Sequence, residues 1–264
     1  MKLGFIGAGN MASAIIGGII KKGIYAPEDI ICSSPVEAER QKAMDSFGIT
    51  AVSDNKELVR LADIIFFAVK PQVIGIVAEE IKDIIDDNKL VVSIVAGKNL
   101  KWYEDAFGRK LKIVRTMPNT PALVGEGMTG VSPETTVSED ELSKALEILT
   151  AFGKAEVIPE KLMDAVVSVS GSSPAYVFMM IEAMADGAVR LGMPRAQAYK
   201  FAAQAVYGSA KMVLETGKHP GELKDMVCSP AGTTIEAVRV LEDMGFRSSL
   251  IEAMEACADI SRNL

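Results

Sequence analysis

Three small residues near the start of the chain have the spacing of a phosphate-binding turn. Gly7, Gly9 and Ala12 form the pattern G-x-G-x-x-A, between an apolar run typical of a strand and a helical pattern. The first glycine permits the tight turn, the second lets backbone approach a pyrophosphate, and the small third residue keeps the helix close to the strand. A glycine-rich turn that serves packing alone is the alternative. The predicted dinucleotide contacts of this turn are Ile6, Gly7, Gly9, Asn10 and Met11.

The residues after the second predicted strand bear on which dinucleotide would bind. A site specific for NAD usually has Asp or Glu there to accept the ribose hydroxyls. This chain has Ser33, Ser34 and Pro35 instead, so no carboxylate in the loop repels a 2′-phosphate, and two hydroxyls can donate to it. The nearest arginine, Arg40, stands on the following helix. The sequence therefore favours NADPH and permits NADH.

Three further segments close predicted strands, namely 68–72, 93–97 and 116–121. They should border the same crevice, because ligands of a doubly wound sheet bind outside the carboxyl ends of its strands. The segment 68–72 also carries a lysine, which could reach a phosphate or a carboxylate or could be a solvated charge. In the segment 116–121, two prolines restrict the residues before them to extended conformations. A structural loop is the alternative for each segment taken singly. The predicted contacts here are Ala68, Val69, Lys70, Pro71, Ala96, Gly97 and Asn119.

Two segments in the second half of the chain, 168–174 and 228–234, are rich in small hydroxyl residues and precede predicted helices. Helix N-caps are one interpretation of both. Exposed backbone N–H groups at such a helix start can also hold a carboxylate. For the segment 228–234 the sequence favours this anion-binding function.

The elements that must position these residues fall into two groups. Val/Ile-rich runs alternate with helical patterns in the first half, which predicts an α/β fold: a Rossmann-type, doubly wound parallel sheet covered on both faces, over residues 1–160. From about Leu162 strand signals stop, and residues 161–264 read as an all-helical domain. Its Ala- and Met-rich faces favour burial against a second subunit over a well-filled core within one chain. The predicted strands are 2–6, 29–32, 64–69, 90–94, 112–115, 127–131 and 154–157, and the predicted helices are 11–21, 36–47, 73–85, 100–107, 139–152, 175–191, 195–215, 221–226, 233–243 and 246–263.

Bulk composition excludes several classes of function. Of 264 residues 49% are hydrophobic and 24% charged, and the formal net charge is −7 without a basic stripe, so neither nucleic acid nor an anionic membrane is an expected partner. Three widely spaced cysteines and one histidine offer no metal site, and they fit a reducing cytoplasm. The N-terminal apolar run superficially imitates a secretory signal, but its three glycines and Asn10 suit a tight turn better.

Five motifs together resemble the pyrroline-5-carboxylate reductase family: F-I-G-A-G-N-M-A, F-F-A-V-K-P-Q, R-T-M-P-N-T-P, S-G-S-S-P-A-Y and S-P-A-G-T-T. They occur in the family's order and cover essentially the whole chain, and the last is the most specific. The resemblance implies a Rossmann-type domain followed by a helical dimerisation domain, with active sites formed between subunits. Dimers of this family often assemble into decamers. The implied reaction is the last step of proline biosynthesis, in which NAD(P)H reduces (S)-1-pyrroline-5-carboxylate, a small imino acid, to L-proline.

Particular residues receive roles through the same resemblance. Ser229, Gly232 and Thr233 would bind the substrate carboxylate, and Thr234 would be the catalytic residue, with its hydroxyl against the ring nitrogen. Asn55 matches a position that contacts the adenosine phosphate end of the cofactor. The chain departs from the S-P-G-G form of many members because Ala231 stands where they have glycine, which puts the flexibility of this loop in doubt.

The chemistry of imine reduction supports this assignment, and the sequence argues against two competing interpretations. An iminium already carries its proton on nitrogen, so its reduction needs positioning rather than an acid such as His or Lys. A β-hydroxyacid dehydrogenase would need a lysine in the long helix of the second domain, but no lysine occurs between Lys161 and Lys200. A non-catalytic NAD(P)-binding regulator is the other alternative, and the intact hydroxyl loop ending in Thr234 argues against it.

Overall fold

The structure is a computed structural model and describes residues 1–262. Its described residues contain one eight-stranded sheet in the order β3-β2-β1-β4-β5-β6-β7-β8. The strands are β1 (Leu3–Ile6), β2 (Ile30–Ser33), β3 (Thr50–Val52), β4 (Ile64–Phe67), β5 (Leu90–Ser93), β6 (Ile113–Met117), β7 (Gly127–Pro133) and β8 (Gly153–Val157).

The first six strands are parallel, and β1 lies between β2 and β4. In register, Leu3 is opposite Ile30 on one side and Ile64 on the other. The strand order reverses at β1, so the turn after it lies at the switch point where open α/β sheets bind their ligands. The predicted α/β architecture is confirmed.

The far edge of the sheet departs from the expected all-parallel arrangement. Strand β7 runs antiparallel to β6, with Met117 opposite Gly130, and only residues 118–126 connect the two strands. A parallel pairing needs a crossover of a dozen or more residues, which this connection cannot supply. Strand β8 returns parallel to β7 after a helix, as the predicted strand–helix–strand unit requires.

Helices cover both faces of the sheet. They are α1 (Asn10–Lys21), α2 (Glu37–Phe47), α3 (Asn55–Leu61), α4 (Ile74–Ile81), α5 (Leu100–Phe107) and α6 (Glu139–Leu149). Adjacent residues of β4 separate the two cores: Phe66 stacks on Phe5 in the core that includes α1, while Phe67 packs near Tyr103 and Phe107 in the core that includes α5. Such continuous apolar strands are typical of a sheet buried on both faces. The sequence prediction did not include β3 and α3, because Thr50–Val52 is a three-residue strand without the apolar run of a buried one: Thr50 is exposed, and Ala51 and Val52 are half-buried.

The chain divides into two compact units. One contains residues 1–172 together with the end of the last helix from Cys257, and the other contains residues 173–256. The second half of the chain is helical, as predicted: α7 (Met163–Val166), α8 (Ser173–Arg190), α9 (Arg195–Thr216), α10 (Pro220–Val227), α11 (Thr233–Asp243) and α12 (Phe246–Arg262). The predicted last residue of the final helix, Asn263, lies outside the described residues.

The helical unit ends its helices where the sequence indicated and leaves large side chains uncovered. Gly192, Gly217 and Gly245 all have positive φ, the backbone state that favours glycine after a helix. Several large apolar side chains are more than 60% exposed, among them Phe178, Met179, Phe201 and Leu214. Within residues 1–262 no helix is long and apolar enough to cross a membrane.

The segment 168–174, whose composition predicted a loop before a helix, is helical instead. Residues Val167–Gly171 form a π-helical turn that continues α7, and α8 begins at Ser173. The hydroxyls of Ser168 and Ser170 donate to backbone carbonyls four residues earlier, at 3.0 Å each. The polar side chains that suggested a loop therefore bond along the helix, a use open to serine in helices.

Candidate active site

The turn after β1 has the geometry of a pyrophosphate cradle. Gly7 has a φ of +105°, and its N–H donates to the Ser33 carbonyl oxygen at 2.9 Å. A Cβ on Gly7 would lie 2.6 Å from the Ala68 carbonyl oxygen, so no other residue fits between β1 and β4. Gly9 is the N-cap of α1 without a side-chain cap, and a Cβ there would have no neighbour within 4 Å. Uncapped N–H groups beside open space fit the phosphates of a dinucleotide.

Ser33 and Asn55 are brought together at the carboxyl ends of β2 and β3. The Ser33 hydroxyl donates to Asn55 Oδ1 at 2.7 Å, and Asn55 Nδ2 donates to Glu80 Oε2 at 2.8 Å. Ser33 is buried, and Asn55 and Glu80 are half-buried. Glu80 on α4 therefore holds the Asn55 amide in place. Sequence reasoning missed Glu80, because its neighbours along the chain gave no sign that α4 approaches this edge.

Ser34 lies between an acidic and a basic side chain. Its hydroxyl donates to Glu39 Oε2 at 2.6 Å, and its carbonyl oxygen accepts a hydrogen bond from Arg40 Nη1 at 2.7 Å. Arg40 therefore contacts the loop after β2, although it stands on the helix that follows the loop. The loop itself carries no carboxylate, as the sequence showed, but the first turns of α2 place Glu39 there.

The segments that follow β4 and β5 lie at the same edge of the sheet. The Ala68 N–H donates to the Ile6 carbonyl oxygen at 2.9 Å, which places residues 68–71 beside the turn after β1. The Lys70 side chain is exposed, while Pro71 is half-buried. After β5, Ala96 and Gly97 are half-buried, and Gly97 has a φ of +74°. These positions remain predicted cofactor contacts, together with Val69, Asn10 and Met11.

Asn119 is buried, and the backbone occupies both ends of its amide. Nδ2 donates to the Ser170 carbonyl oxygen at 2.9 Å, and Oδ1 accepts from the Met128 N–H at 2.9 Å. The side chain thereby joins β7 to the π-helical turn. This gives Asn119 a structural role at the edge of the site, and its predicted cofactor contact remains a prediction.

Two titratable groups buried under these strand ends remain neutral. Burial raises the pKa of the Cys32 thiol to about 11, despite the opposing field of Arg40. Burial also raises the pKa of Tyr103 to about 12, although the hydrogen bond to Ser93, 2.6 Å between hydroxyl oxygens, opposes the shift. Neither group adds a charge to the site at neutral pH. No cluster of three metal-ligating side chains exists among residues 1–262.

The four predicted substrate residues share one helix start in the other unit. The Gly232 N–H donates to the Ser229 carbonyl oxygen at 3.0 Å, which closes a turn with Pro230 at its second position. Ala231 follows with a φ of +55°, the only positive φ of a non-glycine residue in the described chain. A positive φ at this position of a turn favours glycine, so Ala231 carries a backbone strain that glycine would not.

This turn leaves the start of α11 open. Gly232 is the N-cap, no side chain in the described chain caps it, and a Cβ on it would clash with the Ser229 hydroxyl. Ser229 and Thr233 are exposed, and Thr234 is half-buried. The first N–H groups of α11 lack partners within the helix, so the arrangement can bind a carboxylate.

Comparison with known proteins agrees with this geometry. A family model described as "Pyrroline-5-carboxylate reductase dimerisation" matches residues 160–264, and one described as "NADP oxidoreductase coenzyme F420-dependent" matches residues 2–97. The chain is 57% identical to the pyrroline-5-carboxylate reductase of Escherichia coli, covering 100% of this chain and 98% of the relative. It is 43% identical to that of Arabidopsis thaliana, covering 100% and 95%.

Solved structures extend the likeness to three dimensions. A pyrroline-5-carboxylate reductase from Coxiella burnetii superposes with a TM-score of 0.93 at 35% identity, covering 99% of this chain and 97% of that one. The Plasmodium falciparum pyrroline carboxylate reductase with NADP bound superposes with a TM-score of 0.91 at 34% identity, covering 100% and 97%. The uncapped turns after β1 and before α11 and the full-length similarity lead to one assignment: this chain belongs to the pyrroline-5-carboxylate reductase family.

Proposed function

We propose that the chain reduces (S)-1-pyrroline-5-carboxylate to L-proline with NADPH, accepts NADH as an alternative, and thereby performs the last step of proline biosynthesis. Relatives named for this reductase match over the whole chain, and the Plasmodium falciparum neighbour was solved with NADP. The observation in the structure that carries the proposal is the uncapped start of α11, which offers N–H groups to the substrate carboxylate.

The substrate carboxylate is held by the loop before α11. The Ser229 hydroxyl and the backbone N–H groups that open α11 at Thr233 and Thr234 surround the helix start, whose partial positive charge favours an anion. The Gly232 N–H is held by the Ser229 carbonyl oxygen, so the contact of Gly232 with the carboxylate stays a prediction from the family motif. Binding the carboxylate fixes one end of the five-membered ring. The Thr234 hydroxyl, one residue further along the helix, then hydrogen-bonds the ring nitrogen and sets the face that the ring presents.

The reaction needs orientation more than proton transfer from the protein. The reduced nicotinamide, when bound, supplies a hydride to the imine carbon. The substrate nitrogen already carries a proton in the iminium form, so no side chain has to act as an acid. The single histidine of the chain, His219, is occupied in the structure because its Nδ1 accepts the Gly221 N–H at 3.0 Å as the N-cap of α10. The residues of the site therefore act through positioning.

The match to the dimerisation family supports a proposal about assembly. Residues 1–160 form the cofactor-binding domain and residues 161–264 the substrate-binding and dimerisation domain of this proposal. A homo-oligomer is supported by the match to the dimerisation family and by exposed side chains such as Phe178, Met179 and Phe201. A decamer built from dimers and a location in the cytoplasm are the finer proposals. The molar mass measured by light scattering after size-exclusion chromatography would distinguish a dimer from a decamer.

The role of the Thr234 hydroxyl is tested by a pair of variants. Thr234→Ala should lower kcat by about 10- to 100-fold, since hydrogen bonds to charged groups contribute about 1.5–3 kcal/mol. NADPH affinity, measured by fluorescence titration, should change less than about twofold because the hydroxyl does not touch the cofactor in this proposal. Thr234→Ser should restore most of the rate. Equal loss of turnover and cofactor binding would refute the assigned role.

The reaction itself is tested by following NADPH oxidation with pyrroline-5-carboxylate and then with a hydroxy acid and NADP. We expect rapid oxidation of NADPH in the presence of the imine. With the hydroxy acid, we expect no reduction of NADP. Helix α8 contains no lysine that could act as a dehydrogenase base. Folded protein that binds NADPH but turns over neither compound would favour a regulator.

A further inference from the structure

Two side chains of opposite charge meet at Ser34, directly after β2. Glu39 Oε2 accepts a hydrogen bond from the Ser34 hydroxyl at 2.6 Å, and Arg40 Nη1 donates one to the Ser34 carbonyl oxygen at 2.7 Å. Both charged residues stand on α2, and Ser34 is buried. In Rossmann-type folds the end of this strand contacts the 2′ position of the adenosine ribose.

The Ser34 hydroxyl has no proton left for a ligand in this arrangement. A hydroxyl donates once, and Ser34 donates to Glu39 while its oxygen accepts the Val36 N–H at 3.2 Å. A ribose 2′-hydroxyl can donate to the Glu39 carboxylate. A 2′-phosphate has only acceptor oxygens at neutral pH and would meet a like charge. Glu39 therefore favours the cofactor without the phosphate.

Arg40 has the opposite preference. Its hydrogen bond to the Ser34 carbonyl oxygen occupies one of five guanidinium N–H donors, and it forms no ion pair among residues 1–262. The remaining donors can pair with phosphate oxygens, for which a guanidinium has matching geometry. The hydrogen bond to the Ser34 carbonyl oxygen keeps the Arg40 guanidinium at the loop, so binding of the cofactor does not have to order this side chain.

We propose that Glu39 and Arg40 together set the cofactor preference of this enzyme, with Glu39 opposing the 2′-phosphate through its negative charge beside Ser34 and Arg40 favouring it. The opposition of the two charges makes the chain a dual-cofactor reductase whose balance a single substitution can move. The inference deepens the proposed function, on which it rests for its turnover arm, but its binding arm does not depend on catalysis.

The test compares two neutralising substitutions on the same helix. Glu39→Gln removes the charge beside Ser34 but keeps an oxygen that can accept its proton. Glu37→Gln removes an equal charge from an exposed residue of the same helical turn that does not contact Ser34. Dissociation constants of NADPH and NADH are measured by fluorescence titration, and those of 2′,5′-ADP and 5′-AMP by competition.

Glu39→Gln should raise the preference for NADPH over NADH by about fivefold, as expected for removing one nearby like charge in partly screened surroundings. Glu37→Gln should change it by less than about twofold, because Glu37 is exposed and makes no hydrogen bond to Ser34, so solvent screens its charge. Arg40→Gln should lower the preference by about tenfold, through weaker binding of NADPH and 2′,5′-ADP alone. The kcat/KM ratio for the two cofactors should follow the binding ratios.

An equal effect of Glu39→Gln and Glu37→Gln would overturn the proposal, because it would reduce the role of Glu39 to net charge. A preference that Glu39→Gln leaves unchanged or moves toward NADH would also overturn it. Failure of the proposed reaction has a different signature: the binding preferences would shift as described while no variant, nor the unaltered chain, reduced pyrroline-5-carboxylate.

Discussion

Replacing Gly7 by alanine should both destabilise the fold and abolish tight cofactor binding. With a φ of +105°, the position lies where an L-residue is strained, at a cost of about 1–2 kcal/mol. The new Cβ would lie 2.6 Å from the Ala68 carbonyl oxygen and 2.8 Å from its carbonyl carbon, whereas ordinary contact begins at 3.4 Å. Both neighbours are backbone atoms, so the end of β4 must move, which adds about 1–3 kcal/mol.

Gly9→Ala is the matched control, since it adds the same methyl group two residues later. The φ of Gly9 is −75° and no atom lies within 4 Å of the added Cβ, so the free energy of unfolding should change by less than about 1 kcal/mol. The methyl group would nevertheless occupy the space proposed for the pyrophosphate. NADPH binding should weaken by about tenfold or more in this variant, although its fold is intact.

Urea unfolding and NADPH fluorescence titration separate the two effects. Gly7→Ala should lose about 2–5 kcal/mol of stability and Gly9→Ala almost none, while both lose cofactor affinity. A Gly9→Ala variant with unaltered NADPH affinity would refute the placement of the pyrophosphate at this turn. A Gly7→Ala variant of unaltered stability would show that the approach of β1 to Ala68 is looser than described.

Other predictions concern stability and the support of the site. Thr129 Oγ1 is buried without a hydrogen-bond partner among the described residues, so Thr129→Val should raise stability by about 1 kcal/mol in urea unfolding. Burial opposes ionisation of Glu141, but hydrogen bonds from Lys112 and the α6 N-terminus outweigh it and lower its pKa to about 2, below its ordinary 4.5. Its contribution is therefore present above about pH 4.5 and lost as pH falls toward 2, and Glu141→Gln should flatten the measured dependence of unfolding free energy on pH in that window. Glu80→Leu removes the acceptor that holds Asn55 and should weaken NADPH binding about fivefold, whereas Glu80→Gln should not.

Local patterns of the sequence predicted the turn after β1 and the loop before α11 well. The spacing of Gly7 and Gly9 between a strand and a helix carries a backbone requirement, and the structure meets it with a positive φ and a close approach of β4. The S-P-A-G-T-T segment likewise predicted an open helix start. In both places the residues that matter are neighbours in the chain, so their chemistry is visible without knowledge of the fold.

Contacts between distant segments were not predictable in the same way. Glu80 touches Asn55 across 25 residues, and only the packing of α4 beside α3 brings them together. Arg40 seemed too far from the loop because its distance was counted along the chain, whereas the start of α2 folds it back onto Ser34. The direction of β7 depended on the length of one connection rather than on any residue in the strand.

The polar composition of residues 168–174 misled for a different reason. Serine is typical of loops because its hydroxyl competes with backbone hydrogen bonds, but Ser168 and Ser170 satisfy their hydroxyls on the preceding helical turn. Tertiary packing can thus stabilise a π-helical turn in a segment whose composition favours a loop. The two backbone groups that hold the Asn119 amide could likewise not be identified from the sequence, and its predicted cofactor contact stays a prediction.

The central claim is tested most directly by transfer of deuterium to pyrroline-5-carboxylate from NADPH in which both hydrogens at carbon 4 of the nicotinamide are replaced by deuterium. The account predicts proline with one deuterium on the carbon that was double-bonded to nitrogen, identified by mass spectrometry and NMR, and one NADPH consumed for each proline formed. Absence of proline, or proline that carries no label from the cofactor, would contradict it.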